Sequence, residues 1–340
     1  SGMAAACLPR AGCLVRRASL ALAMVLAGGC SHLDDYQRPG STIPGKWQQA
    51  QMPGDAPVAA QIQWRTFFQD PRLQTLIAHA LEHNSDLRIA LARVSETRAQ
   101  YGVASADQLP SVNLGADKTK SKIPAPFTGT DRPVTTERNE IMLTAISFEL
   151  DFWGRVANLS DAAKSSFLAT EWASRAMRMT LVSEVANLYF SQLELDERVL
   201  VARAAIESRK KNRDLVRRGM ELGAAARSDV LLAESAMHQA QSELAVLENL
   251  RANTEHALLL LVGKPLLDAP PGRKLHEQDV RNDLAPGIPS EVLYARPDVI
   301  AAEYRLKEAH ANVNAARAAF LPKILLTVGL GIASRSLATL

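Results

Sequence analysis

The stretch that decides the fold is DLRIALARVSETRAQYGVASADQLP at residues 86–110, because a related stretch, DVIAAEYRLKEAHANVNAARAAFLP, follows at residues 298–322. Nine positions are identical between them, including the Leu-Pro pair that ends each copy. Each copy predicts an alanine-rich helix carrying charged residues three apart, followed by a strand. Self-similarity over so long a period indicates a two-repeat architecture.

The second repeat is much shorter than the first. The first copy continues for 153 residues beyond Pro110, to about Gly263, whereas 18 residues follow Pro322. We therefore expect a complete first repeat and a second repeat that is incomplete and C-terminally truncated.

The first thirty residues predict a lipoprotein signal peptide over residues 1–29. Arg10, Arg16 and Arg17 form a positive region, and an apolar stretch at 18–27 is too short to span a bilayer, which needs about 20 residues. Two glycines then precede Cys30, which we predict to be acylated. The alternative is an ordinary signal peptide cut elsewhere, because the lipobox is imperfect. Ser31 after the cysteine favours sorting to the outer membrane, with the protein lipid-anchored and facing the periplasm.

Composition and charge exclude several classes of protein. Hydrophobic residues make up 47% of the chain and aromatic residues 5%, which is typical of long helices. The net charge of +3 comes from the three arginines of the predicted signal, which holds no acid. The mature chain would be neutral, so nothing indicates nucleic-acid binding. We expect no transmembrane helix, so that any spanning would fall to strands of a closed barrel.

Two segments alternate with the period of a strand. Residues 111–118 place Val112, Leu114 and Ala116 on one side, and residues 140–150 place five further residues on one side, namely Met142, Thr144, Ile146, Phe148 and Leu150. A polar loop joins them. The pattern suits a hairpin of an outer-membrane β-barrel, whose signal is weak in each segment; the alternative is a soluble hairpin.

A long uninterrupted helical region follows. Residues 155–218 contain no proline and predict a rod of roughly 95 Å, which we expect Gly219 and Gly223 to break. A returning helix begins near Asp229 and ends at Gly263. Helices this long need partners along their length, so we predict an antiparallel coiled-coil hairpin.

These observations give the predicted organisation. After the signal, residues 30–68 form an extended tether and residues 69–263 the first repeat, with a β-hairpin at 111–150 and a helical hairpin at 155–262. A proline-rich connector occupies 264–289, and residues 290–340 begin the second repeat. The fold class is mainly α with a small β part.

Three motifs resemble functional sites but are better explained as ordinary structural features. His79, Glu82 and His83 match the spacing of a zinc motif, but no third ligand accompanies them, and histidines in a last helical turn also complement the helix dipole. Gly263 and Lys264 resemble the end of a phosphate loop but lack its other residues. The basic run at 209–213 is typical of a solvated helix face. We expect no enzyme, no cofactor and no metal.

Five segments in order resemble the TolC-like outer-membrane efflux proteins, in the lipoprotein branch that serves resistance-nodulation-division pumps. They are Trp64–Leu73, Phe148–Arg155 (FELDFWGR), Gly223–Glu234 (GAAARSDVLLAE), Leu261–Pro265 (LVGKP) and Ile288–Val299 (IPSEVLYARPDV). The resemblance as a whole extends over about residues 30–335.

The resemblance implies a fold, partners and a function. It implies a homotrimer whose protomers share one twelve-stranded β-barrel in outer-membrane lipid, continuous with an α-barrel of helical hairpins. Drugs and other small molecules would leave passively through this duct, expelled by an inner-membrane RND pump joined by a periplasmic membrane-fusion adaptor. It also implies that the adaptor docks at the helical turn, with Gly219, Gly223, Arg227 and Asp229.

Three expectations compete with the channel function. Because three strands in each protomer would leave backbone groups unpaired in lipid, we expect that this exact chain does not form a conducting duct. The structural alternative is a periplasmic lipoprotein whose helical hairpin serves as a scaffold or adaptor without channel activity. An enzyme would rest on His79 and His83 alone.

Overall fold

The computed structural model describes residues 36–38, 62–129, 132–265, 270–279 and 294–336. The predicted signal peptide, Cys30 and most of the tether lie outside these residues. The helices are α1 Trp64–Phe67, α2 Pro71–His83, α3 Ser85–Ala106, α4 Ala125–Thr128, α5 Arg155–Glu221, α6 Arg227–Val262 and α7 Pro297–Ala318, and the strands are β1 Val112–Ile123, β2 Val134–Glu149 and β3 Leu325–Ser334. A 3-10 turn spans Leu275–Glu277. The predicted fold class, mainly α with a small β part, is confirmed.

The chain forms two compact units. Among the described residues, the sheet unit contains 36–38, 96–129, 132–169 and 303–336, and the helical unit contains 62–95, 170–265, 270–279 and 294–302. Each unit contains residues from both predicted repeats, so the two units do not correspond to the two repeats. The predicted domain boundaries, which follow the repeats, stay a prediction. None of the helices in the described part of the chain is both long enough and apolar enough to cross a membrane.

The core of the helical unit lies where α2 packs against the long helices. Leu73, Leu76, Ile77 and Ala80 of α2 are fully buried at the i, i+3, i+4 and i+7 spacing of one helix face. They meet four residues of α5 and two of α6, namely Leu181, Val185, Ala186, Tyr189, Leu258 and Val262. Asp70 caps α2, because its carboxylate accepts from the Arg72 amide at 2.8 Å and Pro71 follows as the first helical residue.

Side-chain contacts show that α5 and α6 form an antiparallel hairpin. Asp196 pairs with Arg251, and Arg203 pairs with Glu248 at 2.8 Å. Further along, Arg213 lies 3.3 Å from the Met237 sulfur. Residue numbers therefore rise in α5 as they fall in α6. An apolar contact of Leu195, Val199 and Leu247 lies beside these pairs.

In the helical unit, α2, α3 and α6 meet at a close junction. Asn84 is buried, donates to the Leu261 carbonyl at 3.0 Å and accepts from the Leu87 amide at 2.9 Å. Gly263 ends α6 with φ 72°, and a Cβ there would lie 2.7 Å from the His83 carbonyl oxygen. The Gly-Lys pair is thus a helix end, and glycine is needed for both its backbone and its contact.

The sheet unit contains a three-stranded antiparallel sheet in the order β1-β2-β3. Both strands of the hairpin are longer than predicted, since β1 continues to Ile123 and β2 begins at Val134. The added residues, such as Thr119 to Lys122, are polar and lack the apolar alternation that marks a strand, yet they pair in continuous register.

One predicted strand face is wrong. The pairing of β2 with β3 shifts between Ala145 and Phe148, where Ser147 has φ 57°. This bulge adds a residue to β2 and reverses the phase of alternation beyond it. Met142 and Thr144 therefore share one face, whereas Phe148, expected beside them, lies on the other.

Candidate functional site: the helical turn and the apolar sheet face

The turn between α5 and α6 is built by a left-handed glycine. Gly223 has φ 78°, its amide donates to the Met220 carbonyl at 3.0 Å, and the Ala224 amide donates to the Gly219 carbonyl at 2.7 Å. This pair of hydrogen bonds is the Schellman arrangement, which satisfies the last carbonyls of a helix. The expectation that Gly219 breaks the helix is wrong, because α5 passes through Gly219 to Glu221; a glycine inside a helix costs about 1 kcal/mol without ending it.

Asp229 fixes the start of the returning helix. Its carboxylate accepts from the Ala226 amide at 3.0 Å, which satisfies a backbone donor at the helix N-terminus. The negative charge also lies in the first turn of α6, where the helix dipole favours it. Asp229 therefore has a structural role in the turn.

The four predicted docking residues, Gly219, Gly223, Arg227 and Asp229, lie together in this one turn. The Arg227 side chain is exposed, and no ion pair of the described residues involves it. Sequence reasoning missed Leu222, whose side chain is 85% exposed at the tip. Its position between two glycines in a predicted turn was the available signal. The turn thus presents an apolar side chain and a cation to solvent.

The sheet has one apolar face. Cross-strand pairing aligns three rows of residues, which are Val112–Ala145–Val328, Leu114–Leu143–Leu330 and Ala116–Ile141–Ile332. We call these rows the apolar face. Its central row is open to solvent in the described chain, with Leu114 75% and Leu330 72% exposed. An exposed, contiguous apolar surface of this kind marks a site of contact with a membrane or another protein.

Apart from Met142, the residues on the opposite face of the sheet have polar or small side chains. Its rows are Asn113–Thr144–Gly329, Gly115–Met142–Gly331 and Asp117–Glu140–Ala333, and we call them the polar face. A Cβ at Gly331 would lie 2.7 Å from Cγ of Met142, so the methionine packs directly on the glycine backbone. The sheet therefore separates apolar from polar residues with the period of two that strands impose.

Within the sheet unit, the strands join α5 through hydrogen bonds of the FELDFWGR segment. The Arg155 guanidinium pairs with both carboxylate oxygens of Glu149, at 2.8 and 2.5 Å. Asp151 accepts from the Ala157 amide at 2.7 Å. The Trp153 indole donates to the carbonyl of Pro322 at 2.9 Å. The end of β2 in the first repeat is thus tied to the Leu-Pro pair of the second.

The helical unit contains a buried carboxylate, Asp70, that does more than cap α2. Besides the Arg72 amide, Asp70 accepts from the Tyr189 hydroxyl at 2.7 Å, the Gln278 side chain at 2.6 Å and the Arg273 amide at 3.0 Å. These donors come from α5 and from the predicted connector. A Cβ at Gly272 would lie 2.3 Å from the Tyr189 hydroxyl, so only glycine allows the connector this approach.

The electrostatics of this cluster favour an ionised Asp70. Burial of Asp70 alone would raise its pKa, but the hydrogen bonds from Gln278, Tyr189, Arg273 and Arg72 outweigh burial, and the pKa lies below its ordinary value of 3.8. Burial and the Asp70 charge together raise the pKa of Tyr189, so it stays a hydroxyl donor. The cluster fastens the connector to α2 and α5.

Two other regions considered from the sequence are the histidine pair on α2 and the tether. The rings of His79 and His83 lie 6.1 Å apart, and among the described residues no group of three histidine, cysteine or acidic side chains could hold a metal ion. Residues 36–38 of the predicted tether contact α7, where Arg38 pairs with Glu303 and Tyr36 lies against His310. Cys30, the predicted lipidation site, lies outside the described residues.

Comparison with known proteins gives consistent results. The family model described as "Outer membrane efflux protein" matches residues 76–264 and 288–340. Among curated relatives, the probable efflux pump outer membrane protein TtgC of Pseudomonas putida is 34% identical over 328 residues, which cover 92% of this chain and 66% of TtgC. The cation efflux system protein CusC of Escherichia coli K12 is 36% identical over 324 residues, covering 92% and 67%.

A solved structure agrees with these relatives. A membrane protein from Pseudomonas aeruginosa superposes with a TM-score of 0.80 at 33% identity, covering 92% of this chain and 70% of the other. The chain spans about two thirds of the length of the curated relatives that it matches.

Proposed function

The chain belongs to the outer membrane efflux protein family, and from this premise we propose that it supplies the outer-membrane channel component of a tripartite efflux system, through which small molecules leave passively. The family is one of transport proteins, not of enzymes. The resemblance identified from the five sequence motifs is confirmed, as is the outer-membrane location at the level of the family.

The observation that carries the proposal is the separation of the two sheet faces. An apolar face that is open to solvent matches what hydrocarbon requires, and the polar face matches a water-filled passage. From Ile324 to Ile332, alternate residues of β3 and of the segment before it are apolar. This nine-residue length suits a tilted strand that crosses a bilayer.

The sheet edges support a homotrimer. In the described part of the chain, the outer edges of β1 and β3 have no strand partner. Unpaired backbone groups in hydrocarbon cost several kcal/mol each. The three strands of one protomer leave such groups at both edges, but β1 of one copy pairing with β3 of the next would satisfy them. Three-fold closure is thus our proposal for how the strands avoid unpaired edges.

The exposed turn between α5 and α6 supports adaptor docking. Leu222 provides an apolar contact and Arg227 a cation, while Gly223 and Asp229 hold the turn that presents them. We assign the periplasmic adaptor of an RND-type pump to this surface. For the exported class we propose small molecules, as the resemblance implies, or cations, as the name of CusC states for that protein.

Efflux in cells tests the proposed function. This chain would be produced in cells that contain a pump and its adaptor but no other outer-membrane channel, and retention of a fluorescent pump substrate would be measured. If neighbouring copies pair the strand edges as proposed, we expect lower retention than in cells with an empty vector, and this result would overturn the expectation from the strand count that this exact chain does not conduct. Unchanged retention, with the chain present in the outer membrane, would favour the scaffold interpretation.

Reversing the charge of Arg227 tests adaptor docking. Arg227→Glu is expected to weaken binding of purified adaptor roughly tenfold. The proposal implies that Arg227 faces acidic groups of the adaptor, and a glutamate in its place would repel them. Lys210→Glu makes the same charge change on α5, 17 residues earlier, and is expected to leave binding unchanged. Equal binding by the two variants, measured by surface plasmon resonance, would contradict docking at the turn.

A further inference from the structure

Beyond the apolar face, the same side of the sheet carries a column of lysines. Lys118, Lys120 and Lys122 follow Ala116 at every second position of β1, so all three share the side of Val112 and Leu114. The polarity changes at the same level on the other strands, where Ala116–Ile141–Ile332 is followed by Lys118–Asn139–Ser334. The apolar face therefore has a sharp polar border at the hairpin-loop end of the sheet.

The charges on the two sides of the sheet differ in sign near this border. On the lysine side, Glu137 lies opposite Lys120 and pairs with Lys118 at 2.7 Å, so three cations face one carboxylate. On the polar side, Asp117 and Glu140 accompany Arg138. No ion pair of the described residues involves Lys120 or Lys122, and both are exposed. The lysine side thus keeps an excess of two positive charges.

The spacing places these charges at a defined depth. Lys118 to Lys122 spans about 13 Å along the strand, which becomes about 9 Å along the membrane normal for a strand tilted by about 45°. The headgroup layer on each side of the hydrocarbon is of similar thickness, roughly 5–8 Å. If the apolar face fills the hydrocarbon, the ammonium groups reach the headgroups, since lysine stems extend along apolar surface while the charge stays in water.

We propose that Lys118, Lys120 and Lys122 form a binding surface for the phosphate groups of anionic membrane lipids. The inference rests on the proposed function, because it requires the apolar face to lie in the bilayer. The charge excess, exposure and depth all fit a phosphate-bearing headgroup. A lysine near an anionic membrane surface strengthens binding about fivefold, so Lys120 and Lys122 together contribute about twenty-fivefold.

Vesicle flotation with the full chain tests the proposal. Partitioning would be measured on vesicles of phosphatidylcholine and on vesicles that also contain phosphatidylglycerol, at low ionic strength. We expect about twenty-fivefold stronger partitioning onto the anionic vesicles, lost at high salt because screening weakens exposed charges. Lys120→Gln combined with Lys122→Gln is expected to remove most of this difference, and the corresponding double arginine variant to keep it.

The control is Lys210→Gln combined with Lys211→Gln, an equal charge change on α5. An equal loss in this control, or an unchanged preference in the Lys120 and Lys122 variant with native circular dichroism, would overturn the proposal. Binding of inorganic phosphate by these lysines, together with no preference of the chain for anionic vesicles, would assign the lysines to free phosphate and also overturn it. Wild-type chain that binds both vesicles equally contradicts the lysine surface alone, whereas failure to bind either kind contradicts the membrane contact in the proposed function.

Discussion

Replacing Asp70 by alanine is expected to lower the free energy of unfolding of the helical unit by about 4 kcal/mol. The substitution removes the shared acceptor of four hydrogen bonds and leaves the Tyr189 hydroxyl, the Gln278 side chain and the Arg273 amide unpaired at a buried site. An unsatisfied buried donor costs about 1–3 kcal/mol. Urea denaturation in detergent, followed by circular dichroism, measures the change.

The control for Asp70→Ala is Glu207→Ala, which removes an exposed carboxylate from α5. Its effect should stay within about 0.5 kcal/mol. Asp70→Ala combined with Tyr189→Phe should cost less than the sum of the two single changes, because the double variant leaves no orphaned hydroxyl. Strict additivity, or an Asp70 effect as small as that of the control, would contradict the proposed cluster.

The pH dependence of the Asp70 effect follows from the direction of its pKa shift. The pKa of Asp70 in the folded chain lies below its ordinary value of 3.8, which applies to the unfolded chain. The ionised carboxylate therefore stabilises the fold fully at pH values above the pKa of the unfolded chain. This stabilisation is lost as the pH falls through 3.8 towards the lower pKa of the folded chain. The difference between wild type and Asp70→Ala should therefore be constant from neutral pH to about pH 5 and shrink below about pH 4.

Placing a charge on the apolar face is expected to have the second large effect. Leu114→Arg should destabilise the membrane-inserted state by about 2–4 kcal/mol, the cost of arginine at the lipid face of a membrane strand near the bilayer midplane. The matched control is Asn113→Arg, since Asn113 precedes it on β1 but belongs to the polar face. The amount of each variant in isolated outer membranes, compared with its total expression, measures the difference.

The two arginine variants separate the proposed orientation from its alternatives. Normal insertion of Asn113→Arg with loss of Leu114→Arg is the expected result. Equal tolerance of both would indicate a sheet in water, and greater loss from Asn113→Arg would indicate that the opposite face contacts lipid.

The local elements could be predicted from the sequence because their signals are local. The Asp-Pro pair before α2, the absence of proline from 155 to 218 and the Leu-Pro pairs after the repeat helices each act within a few residues. The placement of α5 and α6 was therefore close to that observed. The start of β2 was missed because the residues that follow Val134, up to Glu140, are polar.

The bulge and the Asp70 cluster could not be predicted because their causes are distant in sequence. Asp70 meets Tyr189, Arg273 and Gln278 across 119, 203 and 208 residues. The phase reversal in β2 is defined by its pairing with β3, which lies in the other repeat. Likewise, the rows of the apolar face require the register of all three strands, whereas the sequence reveals only the alternation along each.

Lipid accessibility of two adjacent positions tests the central claim most directly. Single cysteines at Leu114 and Asn113 would carry a fluorophore in the membrane-inserted chain, since Cys7 and Cys13 lie in the predicted signal peptide and the thiol of Cys30 is predicted to be acylated. We predict that a lipid-borne quencher reaches the label at 114 and that a water-soluble quencher reaches the label at 113. Quenching of both labels mainly from water would contradict the assignment of the apolar face to the bilayer, and with it the proposed channel role.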